Sequence, residues 1–90
     1  MVDRQKKTKQ ELNRLLEESG ILDGIRSGKY HAVVQRETTA RMVAEGKSLI
    51  ISYYDRGSYL CTIHQVRTKT GDVVHQDVED IFIDEVRYER

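Results

Sequence analysis

Apolar residues recur first at helical spacing and later at alternating spacing along the chain. Thr8-Lys-Gln-Glu11 has the spacing of a capping box, in which the threonine hydroxyl accepts from the N3 amide and the glutamate reaches back to the Thr8 amide. Leu12, Leu15 and Leu16 then share one face, and Gly20 supplies a left-handed position after which Ile21 can fold back on the leucines. A helix over residues 8–19 is predicted, with an apolar stripe narrow enough to pack by one edge only. Ile21-Leu22-Asp-Gly24-Ile25-Arg-Ser-Gly28 reads as a packed, glycine-punctuated connector.

The next segment is ambiguous. Tyr30, Val33, Val34 and Glu37 fall at helical spacing, while the paired valines after a glycine favour a strand. With residues 29–36 as a strand, Thr38 or Thr39 caps a short second helix through Ala40, Met42, Val43 and Ala44, stopped by Gly46. With the helical period, one helix runs from Tyr30 to Glu45.

From Ser48 the period is two. Ser48-Leu-Ile-Ile-Ser-Tyr-Tyr turns at Asp55-Arg56-Gly57-Ser58, and Tyr59-Leu-Cys-Thr-Ile-His-Gln-Val turns at Lys69-Thr70-Gly71-Asp72. Such β-branched and aromatic runs closed by glycine turns predict an antiparallel meander over residues 48–88. Leu49, Ile51 and Tyr53 share one face, as do Cys61 and Ile63, but Ile50, Leu60 and Val66 lie on the other. The sheet is therefore expected to be covered on both sides or curled on itself. Asp77-Val-Glu-Asp80 is expected to form a solvated tight turn before Ile81-Phe-Ile83, and Glu85 to Arg90 a charged edge strand. The expected fold class is α+β: a capped N-terminal helix, a short second helix and a bent antiparallel meander of four to five strands, with a small barrel as one form of closure.

Ninety residues make one small domain, 1–90, which buries only about 60–65% of its unfolded surface. A dimer sharing core or sheet edge is therefore an option. Apolar residues are 38% and charged residues 33% of the chain, as in a globular protein. No apolar run approaches the ~18 residues of a membrane helix and the polar start is no signal peptide, so the cytoplasm is the expected compartment and no membrane partner is expected. The single cysteine, Cys61, reads as a buried small hydrophobe.

Formal net charge is zero but unevenly spread. Residues 1–47 carry ten Lys/Arg against seven Asp/Glu, and residues 48–90 carry five against eight. This polarity argues against a uniformly basic nucleic-acid binder and fits contact with another protein or a second copy. Residues 1–7 are expected to be a flexible basic arm. Lys6 and Lys7 in that arm, with Lys9, are candidates for phosphate contact.

Candidate chemistry is sparse. His64 and His75 flank the Gly71 turn almost symmetrically, so a hairpin sets them side by side or diagonal with Asp77 close, at a register the sequence leaves open. A catalytic zinc site wants three ligands together, and His31 lies on a separate element. The histidines are therefore expected to be surface or hydrogen-bonded side chains, with no metal and no cofactor. Serine, histidine and aspartate occur without a nucleophile elbow or oxyanion-hole glycines, so no enzyme is expected. Five tyrosines against one phenylalanine and no tryptophan leave most aromatics a polar tip. Tyr53, Tyr54 and Tyr59 around Arg56 are the candidate binding residues, for a protein surface or, with cations, for stacked bases.

Ile51-Ser-Tyr-Tyr-Asp-Arg-Gly57, then the hairpin and Val78-Glu-Asp-Ile81-Phe-Ile83, resemble small barrels of the Sm/SH3-like type. In particular they are similar to YolD-like proteins, in which a helix leads into a strand ending in tyrosine and glycine, and a later acidic-Asp-Ile pair starts the closing strand. The likeness covers about residues 40–84 and departs from the family in lacking its tryptophan-proline N-terminal segment. It implies a non-enzymatic accessory or regulatory protein, in that family one associated with DNA-repair polymerase genes. Together these readings favour a small regulatory or accessory protein-interaction module, with nucleic-acid binding by a small β-barrel as the alternative.

Overall fold

The computed structural model describes residues 3–90. Its elements are β1 (Asp3–Lys6), α1 (Lys9–Glu18), α2 (Ile21–Arg26), β2 (His31–Thr39), β3 (Lys47–Asp55), β4 (Ser58–Arg67), β5 (Val73–Ile83) and β6 (Val86–Glu89). The fold is α+β, with one six-stranded mixed sheet in the order β1-β6-β5-β4-β3-β2. All pairings are antiparallel except β1 with β6, which is parallel.

The capping box forms. Thr8 Oγ1 accepts from Glu11 N–H at 3.2 Å and Glu11 Oε1 accepts from Thr8 N–H at 3.0 Å, satisfying two donors that a helix start otherwise leaves open. Gly20, at φ 82°, ends α1 and starts α2 in one left-handed step, which a residue with a Cβ adopts only with strain. The segment read as a connector is thus a helix. A glycine inside a helix costs about 1 kcal/mol relative to alanine, and here it has a packing reason: a Cβ on Gly24 would lie 2.3 Å from the Tyr30 ring.

Leu12, Leu16 and Ile21 pack on Leu49, Ile51, Tyr53, Cys61, Ile63, Val78 and Ile81. Fully burying each large aliphatic contributes about 1.5–3 kcal/mol. A side-chain hydrogen bond ties α1 to the sheet: Asn13 Oδ1 accepts from Val78 N–H at 3.2 Å, beside the register shift between β4 and β5.

Several expectations are corrected. Asp3–Lys6, expected as part of a flexible arm, is strand β1, because β6 offers a free edge whose register pairs Gln5 with Tyr88 and Lys6 with Glu89. Met1 and Val2 of that arm lie outside the described residues. The short second helix is α2, not residues 38–44. Thr38 and Thr39 are used by the ladder with Ser48 and Lys47, and the loop after them closes through Ala40 N–H to Gly46 O at 3.1 Å. Asp77 to Asp80 is no turn. β5 runs through it, and the two-residue turn lies at Asp84 and Glu85, both at positive φ as a type I′ hairpin requires. β6 is no edge, since β1 covers it. The sheet stays open between β1 and β2, so the barrel does not form.

Two measurements test this core. Leu12→Ala is expected to lower unfolding free energy by about 2–5 kcal/mol in denaturant titration. Burial, with the nearby Asp80 charge, pushes the Cys61 thiol up to about 12. Cys61 should therefore resist a thiol reagent at pH 8 in the native protein and react once denatured.

Candidate functional site

Both helices lie on one face of the sheet, so the side chains that alternate away from the core share the other face without a helical cover. Ser48, Ile50, Ser52 and Tyr54 of β3 point there. The register sets Ile50 opposite His64, Ser52 opposite Thr62 and Tyr54 opposite Tyr59, and β5 continues the row with Asp77 opposite His64 and Asp80 opposite Thr62. Asp77 and Asp80 are only 6% and 8% exposed. A buried carboxylate is stable only when paired and hydrogen-bonded, and both are.

Asp80 anchors the first network. Tyr59 O–H donates to Asp80 Oδ1 and is also hydrogen-bonded to Thr62 Oγ1. Arg87 Nη2 donates to Asp80 Oδ2 at 2.6 Å, and Thr62 meets Ser52 at 2.8 Å. The Tyr54 ring stands edge-on to Tyr59, with centroids 5.6 Å apart. Burial, reinforced by the donation to Asp80, raises the Tyr59 pKa well above its ordinary value of 10.0. The hydrogen bond and charge of Asp80 likewise raise Arg87.

The second network centres on Asp77. Lys9 Nζ reaches Asp77 Oδ1 at 2.9 Å and His75 Nε2 lies 2.5 Å from Asp77 Oδ2. Burial, the largest single influence, would raise the carboxyl pKa. The hydrogen bonds and charges of Lys9 and His75 together outweigh it, and the net shift is downward. The His75 ring stands edge-on to His64 at 6.1 Å, and His64 Nε2 lies 2.6 Å from Ser48 Oγ. His64 and Ser48 also line a shallow recess of about 330 Å³ with Arg36, Thr38, Ile50 and Glu79.

The sequence-proposed binding residues are divided. Tyr53 faces the helices and is buried in the core, where desolvation raises its pKa. Tyr54 and Tyr59 are half-buried on the opposite face, and Arg56 is exposed at the turn between β3 and β4 with φ 52°. The lysines proposed for phosphate contact all meet groups of their own chain: Lys6 Nζ donates to Arg90 O at 3.0 Å, Lys7 lies 3.9 Å from Glu11 and over the Tyr88 ring, and Lys9 holds Asp77. His31, on β2, is remote in register from the other two histidines. Ser48, Thr62, Asp80 and Arg87 escaped sequence reasoning. Alternation places the first two on this face, but Glu79 is an extra residue between the Val78 and Asp80 pairings, so the period of two fails across the acidic run.

No family model, curated protein or solved structure matches the chain. Among the described residues no helix is long and apolar enough to cross a membrane.

The Tyr59 network predicts an alkaline transition. A group whose folded pKa is raised contributes stability that is complete below its unfolded pKa and is lost as pH rises toward the folded one. Stability should thus hold up to about pH 9 and fall above pH 10.0, the ordinary tyrosine value. In denaturant titrations across this range, Tyr59→Phe should cost about 1–2 kcal/mol at pH 7 and show a shallower alkaline fall, with Tyr53 and Cys61 supplying the remainder.

Proposed function

We propose that the chain is a small, non-enzymatic accessory module that acts by contact with another polypeptide, through strand addition at β2, with a second copy of itself as the occupant. The observation that carries this reading is the free edge of the sheet. β2 is nine residues long, pairs on one side with β3, and is exposed at eight of its nine positions. Its other side is unpaired among the described residues. An extended edge with unpaired N–H and C=O groups is a template for another strand, which supplies main-chain hydrogen bonds without a preformed pocket.

Side-chain chemistry supports a second copy. Val34 is 55% exposed on this strand, where natural edges more often carry lysine or proline. A formal net charge of zero gives copies no long-range repulsion. The open face supports the non-enzymatic part of the reading, because its tyrosine, carboxylate and guanidinium groups bond one another. Nucleic-acid binding is less favoured: Lys6, Lys7 and Lys9 are engaged within the chain, and Asp77, Glu79 and Asp80 stand on the strand beside the tyrosines.

Light scattering coupled to size exclusion, run over a concentration series, tests the reading. A dimer that grows with concentration is expected, and Val34→Lys should shift it to monomer with thermal stability unchanged within about 0.5 kcal/mol. A chain monomeric at every concentration, or a Val34→Lys dimer as strong as the wild type, would overturn it.

A further inference from the structure

We infer that His64, His75 and Asp77 form a binding site for a borderline divalent transition-metal ion, with Zn²⁺ as its type. One ring nitrogen of each histidine and a carboxylate oxygen of Asp77 lie within 4.8 Å of one another. The sheet produces this convergence directly: Asp77 is the cross-strand partner of His64, and His75, two residues earlier on β5, is its diagonal neighbour. Two imidazoles and a carboxylate are the donor set that zinc, cobalt, nickel and copper share, and three protein ligands leave a further position for water.

The geometry lies within small rotations of a coordination shell. Zinc–nitrogen and zinc–oxygen bonds of about 2.0–2.2 Å put tetrahedral ligands roughly 3.3 Å apart. The separations here, from 2.5 Å between His75 Nε2 and Asp77 Oδ2 to at most 4.8 Å, bracket that value. The ladder fixes the backbone of all three residues, so only side-chain torsions need to change. The ion takes the place of the proton shared by His75 and Asp77, and that proton leaves to solvent or moves to the other ring nitrogen.

Partners outside the triad are already in place. Lys9 holds Asp77 Oδ1, which leaves Oδ2 turned to the imidazole, and Ser48 holds the His64 ring at 2.6 Å. The His75 side chain is 47% exposed, which gives an ion a path from solvent. His31 is on β2 and takes no part. The site does not depend on the strand-edge reading of function, since neither β2 nor a second copy supplies a ligand.

Calorimetric titration of the full chain with Zn²⁺, with Co²⁺ as a spectroscopic probe, tests the proposal. One ion per chain, visible ligand-field absorption from bound Co²⁺ and a rise in melting temperature with Zn²⁺ are expected. His75→Ala should weaken binding by at least about tenfold, and its Zn²⁺-induced rise in melting temperature is read against its own ion-free value, because losing the bond to Asp77 lowers that value as well. His64→Ala should weaken binding similarly, and His31→Ala should leave it unchanged. If His75→Ala fails to fold, His75→Asn replaces it. No saturable binding at millimolar Zn²⁺, or binding insensitive to both His64 and His75 variants, would overturn the proposal.

Discussion

A single helical layer seals one face of a six-stranded sheet, and most of the structure follows from that asymmetry. Leu12 and Leu16 of α1, with Ile21 at the start of α2, can cover only what lies beneath them, the central rows of β3, β4 and β5. There the side chains are aliphatic, with Tyr53 and Cys61 among them. Outward from this centre, β2 is left exposed along nearly its whole length. β1 survives at the opposite edge through its four-residue register with β6 and the salt link of Arg4 to Glu89 at 3.8 Å.

The uncovered face is stabilised by different physics. No helix packs across it, so its buried polar groups hold together through directed bonds. Asp80 collects Tyr59 and Arg87, Asp77 collects Lys9 and His75, and Ser48 and Ser52 meet the side chains across from them. Such networks are strong only when every member is satisfied. The bonds to Asp77 and Asp80 explain how two aspartates are almost wholly buried in a chain this small, although among the described residues Arg87 Nε is buried without a partner.

Lys9 connects the two faces. It belongs to the first turn of α1, whose leucines form the core, and its ammonium group holds Asp77 on β5. The position of the helix and the arrangement of the imidazoles are therefore mechanically linked, because Asn13 also ties α1 to the backbone of Val78 next to Asp77.

Local chemistry was readable from the residues alone. The Thr8 capping box, the left-handed Gly20, the tight turn at Arg56-Gly57 and the alternation from Leu49 to Val66 depend on neighbours within a few positions, where one hydrogen bond or one dihedral decides the outcome. The divided fate of the tyrosines was also implicit in that alternation, since residues 53 and 54 must point to opposite faces. Other features required partners distant in sequence. Position 24 takes glycine because Tyr30 fills the space a Cβ would take, Asp3–Lys6 is a strand because β6 presents an edge, and the acidic run stays extended because Arg87 and Lys9 pair with its carboxylates and Tyr59 and His75 hydrogen-bond to them. The meeting of His64, His75 and Asp77 rests on a register interrupted by two bulges. A period of two cannot count across a bulge, and only the assembled ladder sets which side chains face one another.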